Sequence, residues 1–507
     1  MPRKRFIGAA LALCAAGSTL LASSAYAELD EVNSKKLRNA VTINGVMQHE
    51  RALQAIANAN EGTRASGTPG YDASAAYVKG RLERAGYRVV EQEFTFPFFA
   101  KLAEPTVTVG ADSYGTDNYQ FSGSGEVTGR IVPALDNTIP PTAPAGGTTA
   151  GCEPEDFTPA STTADEIALI QRGACDFAVK AQNAIDAGYD AVIIFNEGQE
   201  GRVELSVGTL GRIFEIPVVG LSYTDGAALT EAARAGDVIG TVTSSTENDP
   251  EATTTNIIGT TKKGNADEQI IVGAHLDSVT EGPGINDNGS GTSQNLEIAE
   301  EMAELGIKPR RQVRFAFWGA EEANLLGSEH FVATLEPEQV GQIYANLNFD
   351  MTASPNYVRF VYDGDGSDTP VAGPAGSGQI EDVFTQYFAS QGLESEPTEF
   401  SGRSDYGPFI AVGIPAGGLF SGAEVVKTPA QAAVYGGTAG VAYDPNYHKA
   451  GDTINNVSTK ALFELGDAAA HATLTLARTK TGFFEDGSKR GKARKRNFTY
   501  DGSHTQR

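Results

Sequence analysis

Basic residues are scarce in this chain: 39 Lys and Arg stand against 64 Asp and Glu, for a formal charge of −25. Much of that positive charge sits at the two ends, Arg3-Lys4-Arg5 and the run from Lys489 to Arg507, so the body between them is more acidic still. Such a surface repels polyanions. It excludes nucleic acid and anionic lipid as partners and favours colloidal stability in solution. Beyond the N-terminus no continuous apolar run approaches 18 residues, which excludes a membrane-spanning helix in the mature protein. No internal repeat is present. Histidine occurs only six times. His49, His330 and His471 fall in helical pattern as surface or packing residues, and His504 lies in a polar tail. His275 and His448 remain.

Cysteine is also rare, with three in 507 residues. Cys14 belongs to a leader, Met1 to Ala27, with a cationic start, an apolar run from Phe6 to Leu21 and the small-residue ending Ala25-Tyr26-Ala27. The run falls short of the roughly 20 residues a membrane span needs, so the leader reads as a secretory signal cleaved before Glu28. Cys152 and Cys175 are left as a pair in an exported chain. A disulfide between them would close a loop of about 24 residues and contribute on the order of 3 kcal/mol, two free thiols being the alternative.

Helical pattern over Lys35 to Leu82 is interrupted by the Gly- and Thr-rich loop Gly62–Gly70, resumes at Asp72 and gives way to a strand over Arg88–Phe96. A looser Gly/Thr/Pro/Ser stretch fills Gly110–Thr163. Strands at Glu166–Ile170, Tyr189–Asn196 and Pro217–Gly220 then alternate with helices at Phe177–Gly188 and Asp225–Ala235. From Thr253 apolar strands at Gln269–Ala274, Gln312–Phe317 and Ile343–Phe349 alternate with helices at Gly291–Leu305 and Leu325–Thr334. Helices over Ile380–Ser390 and Thr459–Ala477 follow. Apolar strands interleaved with helices predict an α/β fold with a mixed, mainly parallel central sheet covered by helices on both faces.

The chemistry-bearing residues stand where the later strands end. His275-Leu276-Asp277 closes one strand, Asp287 lies in the loop before the next helix, Glu321-Glu322 follows Val313–Trp318, and Asp350 follows Phe349. Ligands of open α/β sheets bind beyond the carboxyl ends of the strands, so these four loops are predicted to converge on one crevice.

His275-x-Asp277, Asn286-Asp287-Asn288-Gly289-Ser290-Gly291, Trp318-Gly319-Ala320-Glu321-Glu322, Asn348-Phe349-Asp350-Met351 and Tyr447-His448 together resemble the secreted bacterial dizinc aminopeptidases. The resemblance covers about Thr253 to Leu476 and the helical opening. The segment Ile167–Asn196, with Arg172-Gly173-x-Cys175-x-Phe177, is similar to the protease-associated domain that some such peptidases carry as an insert. Five units are therefore expected: signal 1–27, the first part of the peptidase domain 28–120, a β-rich insert 121–250, the catalytic domain 251–480 and a basic, disordered tail 481–507.

The resemblance implies two zinc ions per chain, one held by His275 and Asp350, the other by Glu322 and His448, with Asp287 bridging. Borderline-soft zinc accepts imidazole and carboxylate, and three carboxylates nearly balance two dications. It further implies Glu321 as general base, Asp277 as acceptor of the His275 imidazole N–H, and Tyr447 as donor to the developing oxyanion. Arg403 would help orient the substrate, and Met351 with Phe420 would line the pocket for its first residue. The Asp287–Asn288 peptide would be cis. The insert carries none of these ligands, which leaves it the task of limiting access or holding partners. Where close relatives bracket the Tyr-His loop with a disulfide, Asn446 and Gly451 stand here, so that loop is expected to be held by packing alone. Calcium beside the last helix is not predicted: Asp467 is present, but Phe463 replaces an acid the site would need.

The expected activity is an extracellular, monomeric metallo-aminopeptidase acting on peptide or protein N-termini with large apolar first residues such as Leu. A dizinc carboxypeptidase is one alternative, but it would need several cations for the substrate carboxylate, and mainly Arg403 stands near the site. A non-catalytic binding protein of the same fold is the other, and it would not need to keep all five ligands and Glu321.

Overall fold

In a computed structural model Leu29 and residues 31–483 are described. The expected signal 1–27, the tail beyond 483 and His504 lie outside the described residues. Helices begin where the sequence supplies caps. Thr42 Oγ1 accepts the Gly45 amide at 3.1 Å and opens Ile43–Ala59. Thr68 caps Pro69–Arg84, which starts three residues before the expected Asp72. Proline fits that first position because the amide it lacks would have had no partner there.

The described residues form one thirteen-stranded sheet. Its order is Glu396–Thr398, Phe360–Tyr362, Ala416–Phe420, Ile343–Phe349, Asn265–His275, Arg311–Trp318, Ile239–Thr260, Gly125–Pro133, Glu166–Gln171, Ala191–Phe195 and Val218–Leu221. Arg88–Val109 pairs with Ile239–Thr260 off this path, and Asp112–Tyr114 pairs with Arg88–Val109. The pairs among Ala416–Phe420, Ile343–Phe349, Asn265–His275 and Arg311–Trp318 are parallel, as are those among Gly125–Pro133, Glu166–Gln171, Ala191–Phe195 and Val218–Leu221, whereas Ile239–Thr260 pairs antiparallel with both Gly125–Pro133 and Arg311–Trp318. Within Asn265–His275, Ile270 and Val272 join a core with Leu53, Leu296 and Leu465, while Ile271 faces Trp318, Phe331 and Phe409 on the other side. A strand buried on both faces must be apolar at every position, which is why this one reads as a continuous run. In the insert Ile170 and Ile194 face one core, and Leu169 and Ile193 the other.

The strand expected to end at Phe96 runs on to Val109. It pairs antiparallel with Ile239–Thr260 through register shifts at Phe96/Phe98, Lys101/Ala103 and Ala103/Thr106. Pro97 and Pro105 suggest a break, but a two-stranded ribbon tolerates prolines at irregularities where the ladder is already interrupted. The ribbon carries the chain from the catalytic part of the sheet into the insert and back. The boundary near residue 250 therefore falls inside a strand, and Gly125–Pro133 forms a strand within the stretch that composition marks as loose.

Cys152 and Cys175 are disulfide-bonded in the insert, with Cα atoms 5.8 Å apart. His49 and His330 pack as expected of helix residues. His49 is buried with Nδ1 2.8 Å from the Tyr77 hydroxyl, and His330 stacks on Phe94. Asp467 is occupied by the guanidinium of Arg38 at 2.6 Å and by the Tyr387 hydroxyl, a pairing that satisfies it without calcium. Among the described residues no helix is long and apolar enough to cross a membrane.

Candidate metal centre

Four loops at the carboxyl ends of adjacent strands bring His275, Asp287, Glu322, Asp350 and His448 together. The helix Gly289–Glu304 positions the loop that carries Asp287. Asn288 caps it by accepting the Gly291 amide at 2.9 Å, and the same Asn288 Oδ1 accepts the Met351 amide at 3.1 Å. Asn288 Nδ2 donates to the Phe349 carbonyl at 2.9 Å, so this residue ties the Asp287 loop to the Asp350 loop. A Cβ at Gly291 would lie 2.2 Å from the Phe349 carbonyl oxygen, so the contact admits only glycine. The Asp287–Asn288 peptide is cis, and Met351 and His448 take left-handed backbone with φ of 48° and 55°. Non-glycine residues held there commonly mark functional sites.

Asp287 faces both histidines. Its Oδ1 lies 3.2 Å from His275 Nε2 and its Oδ2 3.2 Å from His448 Nε2. Asp350 Oδ1 is 3.3 Å from His275 Nε2, and Glu322 Oε2 is 3.0 Å from His448 Nε2. Tetrahedral ligands about 2.1 Å from a zinc ion lie about 3.4 Å from one another, so both groups have the spacing such an ion requires. Glu322 Oε1 and Asp350 Oδ1 are buried without a hydrogen-bond partner, and buried carboxylate oxygens call for a cation. The imidazole and carboxylate donors of these five residues are of the kind that zinc accepts.

The surrounding carboxylates act on the histidines. Burial disfavours the His275 imidazolium, but Glu321, Asp350, Asp277 and Asp287 together outweigh it and raise the pKa well above the usual value. Burial, followed by the neighbouring carboxylates of Glu322, Asp350 and Asp405, pushes the Glu321 carboxyl well above its usual range.

Asp277 contacts His275 and the Glu321-Glu322 segment alike. His275 Nδ1 is 3.2 Å from the Asp277 main-chain carbonyl and 3.7 Å from its carboxylate. That carboxylate also accepts the amides of Glu321 and Glu322, at 3.2 and 3.4 Å. These two amides emerge from a strand end with no other partner, and a buried acceptor between them satisfies both. Asp277 thereby fixes the Glu321-Glu322 pair. The Tyr447-His448 loop is not held by packing alone. Asp444 and Asp452 bind Asn286 and Asn456 beneath it, with Asn286 Nδ2 2.6 Å from Asp444 Oδ2 and Asn456 Nδ2 2.9 Å from Asp444 Oδ1. Polar pairing there ties the loop to Asn286 and Asn456.

Tyr447 stacks on His448 at 3.8 Å, and its hydroxyl accepts from Arg403 at 3.3 Å. Arg403 also pairs with Glu424 at 2.8 Å. Sequence reasoning missed three residues. Ser404 Oγ donates to Asp350 Oδ2 and accepts from Asn348 at 2.8 Å. Asp405 is fully buried beside the site, its carboxyl pushed up to about 7 by burial. Buried Arg64 donates to the carbonyls of Leu276, Pro283 and Gly284, locking the loop between His275 and Asp287. Ser404 and Asp405 directly follow the Arg403 already singled out; Arg64 sits in a segment marked only as loop.

Two cavities meet at this centre, sharing Glu321, Arg403, Tyr447 and His448 as borders. The smaller, about 90 Å³, is lined by Met351 and Phe420 together with Tyr362 and Tyr406. The larger, about 560 Å³, extends to the ribbon and the insert.

The sequence pattern of peptidase family M28 matches residues 256–473, and that of the PA domain matches 127–229. An aminopeptidase of Pseudomonas aeruginosa is 44% identical over 456 residues, spanning 87% of this chain and 82% of that protein. Leucine aminopeptidase 2 of Trichophyton equinum is 37% identical over 457 residues, 89% of this chain and 88% of that one. A zinc aminopeptidase from Bacillus subtilis superposes with a TM-score of 0.62 at 26% identity, over 88% of this chain and 99% of the other. Likeness of this extent, with both matched segments in the order the sheet displays, means that the chain belongs to peptidase family M28, as an aminopeptidase with an inserted PA domain.

Proposed function

We propose that this protein is an extracellular dizinc aminopeptidase that removes large apolar residues from peptide N-termini. The observation that carries the reading is Asp287, which presents one carboxylate oxygen to each histidine at 3.2 Å, the disposition of a bridging ligand. His275 and Asp350 would hold one ion, and Glu322 and His448 the other. Bound zinc supplies Lewis acidity toward the scissile carbonyl and lowers the pKa of the attacking water. Glu321 takes the proton of that water on its carboxylate and returns it to the leaving amine. The Tyr447 hydroxyl donates to the oxygen on which negative charge develops, and Arg403 holds that hydroxyl in place.

The small cavity supports the substrate preference. The Met351 thioether and the Phe420 ring offer an apolar lining, and burying a Leu side chain contributes about 1.5–3 kcal/mol. Glu321 and Asp350 beside it suit a cationic α-amino group and disfavour acidic first residues. The Cys152–Cys175 disulfide and the leader sequence support export.

Zinc content and hydrolysis of leucyl p-nitroanilide, before and after chelation, test the reading. About two zinc per chain, activity lost on chelation and restored by zinc, and rates led by Leu, Met or Phe over Asp or Glu are expected. One zinc per chain, a profile led by acidic residues, or cleavage that requires a free carboxyl terminus would overturn it.

A further inference from the structure

The larger cavity has walls from two parts of the molecule. On the catalytic side stand Glu321, Glu322, Tyr447 and His448; on the other, the ribbon residues Phe98 and Phe99 and the insert loop Val207–Thr209. The two rings are half-buried and packed from behind. Phe98 lies edge-on to Phe96 with centroids 6.4 Å apart, and Phe99 packs on Phe121 at 5.9 Å. Each is thus a fixed apolar surface rather than a mobile side chain. Val207 adds an aliphatic group that is 42% exposed in the same space. At the far end Lys101 is anchored to Asp117, just ahead of the insert, at 3.0 Å.

The sizes fix the direction of a bound peptide. A 90 Å³ cavity closed by Met351, Phe420 and two tyrosines has room for one side chain, whereas 560 Å³ has room for several residues. With the reacting groups at the shared border, a chain whose first residue fills the small cavity must lead its leaving portion past Phe98 and Phe99. The register shift between Phe96 and Phe98 lies at this point on the ribbon, and bulges of this kind re-aim side chains next to active sites.

We propose that Phe98, Phe99 and Val207 form the subsite for the residues that follow the scissile bond, and that it selects apolar or aromatic side chains there. The proposal rests on the aminopeptidase reading and adds to it a second specificity element, supplied by the insert and its ribbon. An aromatic pair gives about 0.5–1.5 kcal/mol beyond its buried area, so one favourable ring contact is worth up to about tenfold in kcat/KM.

The test compares leucyl-phenylalanine amide with leucyl-glycine amide in the zinc-loaded full chain and in Phe98→Ala, Phe99→Ala and Val207→Glu. The intact protein is expected to favour the phenylalanine substrate about tenfold. The ratio should fall to about twofold in either alanine variant, and below that in Val207→Glu, through KM more than kcat. Zinc content and melting temperature report folding. If one ring proves essential to the fold, exposed Val207→Glu still decides the matter. A ratio near one in the intact protein, or a ratio that all three variants leave unaltered, would overturn the subsite. Failure to cleave any leucyl peptide would instead count against the aminopeptidase reading itself.

Discussion

Asp452 accepts the main-chain amide of Asp287 on Oδ2 at 3.0 Å, while its Oδ1 takes the amide of Asn286 at 2.9 Å. The carboxylate four residues past His448 therefore holds the backbone of the residue that faces both histidines. Asn456 Nδ2 braces the arrangement, 3.2 Å from Asp452 Oδ1.

Replacing Asp452 by Asn turns one acceptor into a donor facing a buried amide. An unsatisfied buried donor costs about 1–3 kcal/mol. Asp452→Asn is expected to lower the melting temperature and to release zinc to a chelator faster than the unmodified protein does. Matching release kinetics would show that the Asp287 loop keeps its place without this carboxylate.

Glu321 and Glu322 are neighbours with different tasks. Glu322 Oε2 points at His448, whereas Glu321 borders both cavities. Glu321→Gln is expected to keep both zinc ions and the fold and to lose about two to four orders of magnitude in kcat, the usual contribution of general acid–base catalysis. A zinc-replete variant with nearly normal kcat would remove Glu321 from the mechanism.

The disulfide spans a sequence separation of 23 in the insert, away from every proposed ligand. In the chain-entropy picture its loss costs about 3 kcal/mol. The double substitution Cys152→Ser with Cys175→Ser should lower the denaturant midpoint while the folded protein keeps its zinc. Loss of zinc from folded, disulfide-free protein would contradict the separation of insert and centre.

His471 provides a pH signature. Burial, with repulsion from Arg38, lowers its pKa from 6.5 to about 4, and its Nδ1 lies 2.8 Å from Ser34 Oγ. Between those values the unfolded chain binds the proton and the folded one does not. Stability is therefore full above about pH 6.5 and falls progressively as the pH drops toward 4. His471→Gln should flatten the melting temperature over that interval relative to the unmodified protein, whatever it costs overall. Parallel curves for the two proteins would show that His471 does not set this slope.

Local pattern reports the burial of an element, whereas its distant partners are set by the fold. Ile270 to Ala274 announces a strand buried on both faces because each residue meets apolar neighbours whichever way it points. The ribbon Arg88–Val109 goes unrecognised past Pro97 because its regularity comes from Ile239–Thr260, well over a hundred residues away. The carboxylate of Asp277 is visible in sequence, but its contact with the Glu321 and Glu322 amides depends on where two separate strands end. Arg64 shows no periodic or motif signal at all; its importance lies in three carbonyls more than two hundred residues further along the chain.

The sequence by itself placed His275, Asp287, Glu321-Glu322 and Asp350, because each follows an apolar strand or precedes a capped helix and short-range pattern reports those positions; His448 lies in a loop that carries no such pattern. Tertiary structure alone decided how that chemistry meets a substrate. The polar pairing under the Tyr447 loop, the cleft wall made by Phe98, Phe99 and Val207, and the division into one small and one large cavity all arise from surfaces brought together by packing. Periodicity reports which face of an element is buried, but not which distant element buries it.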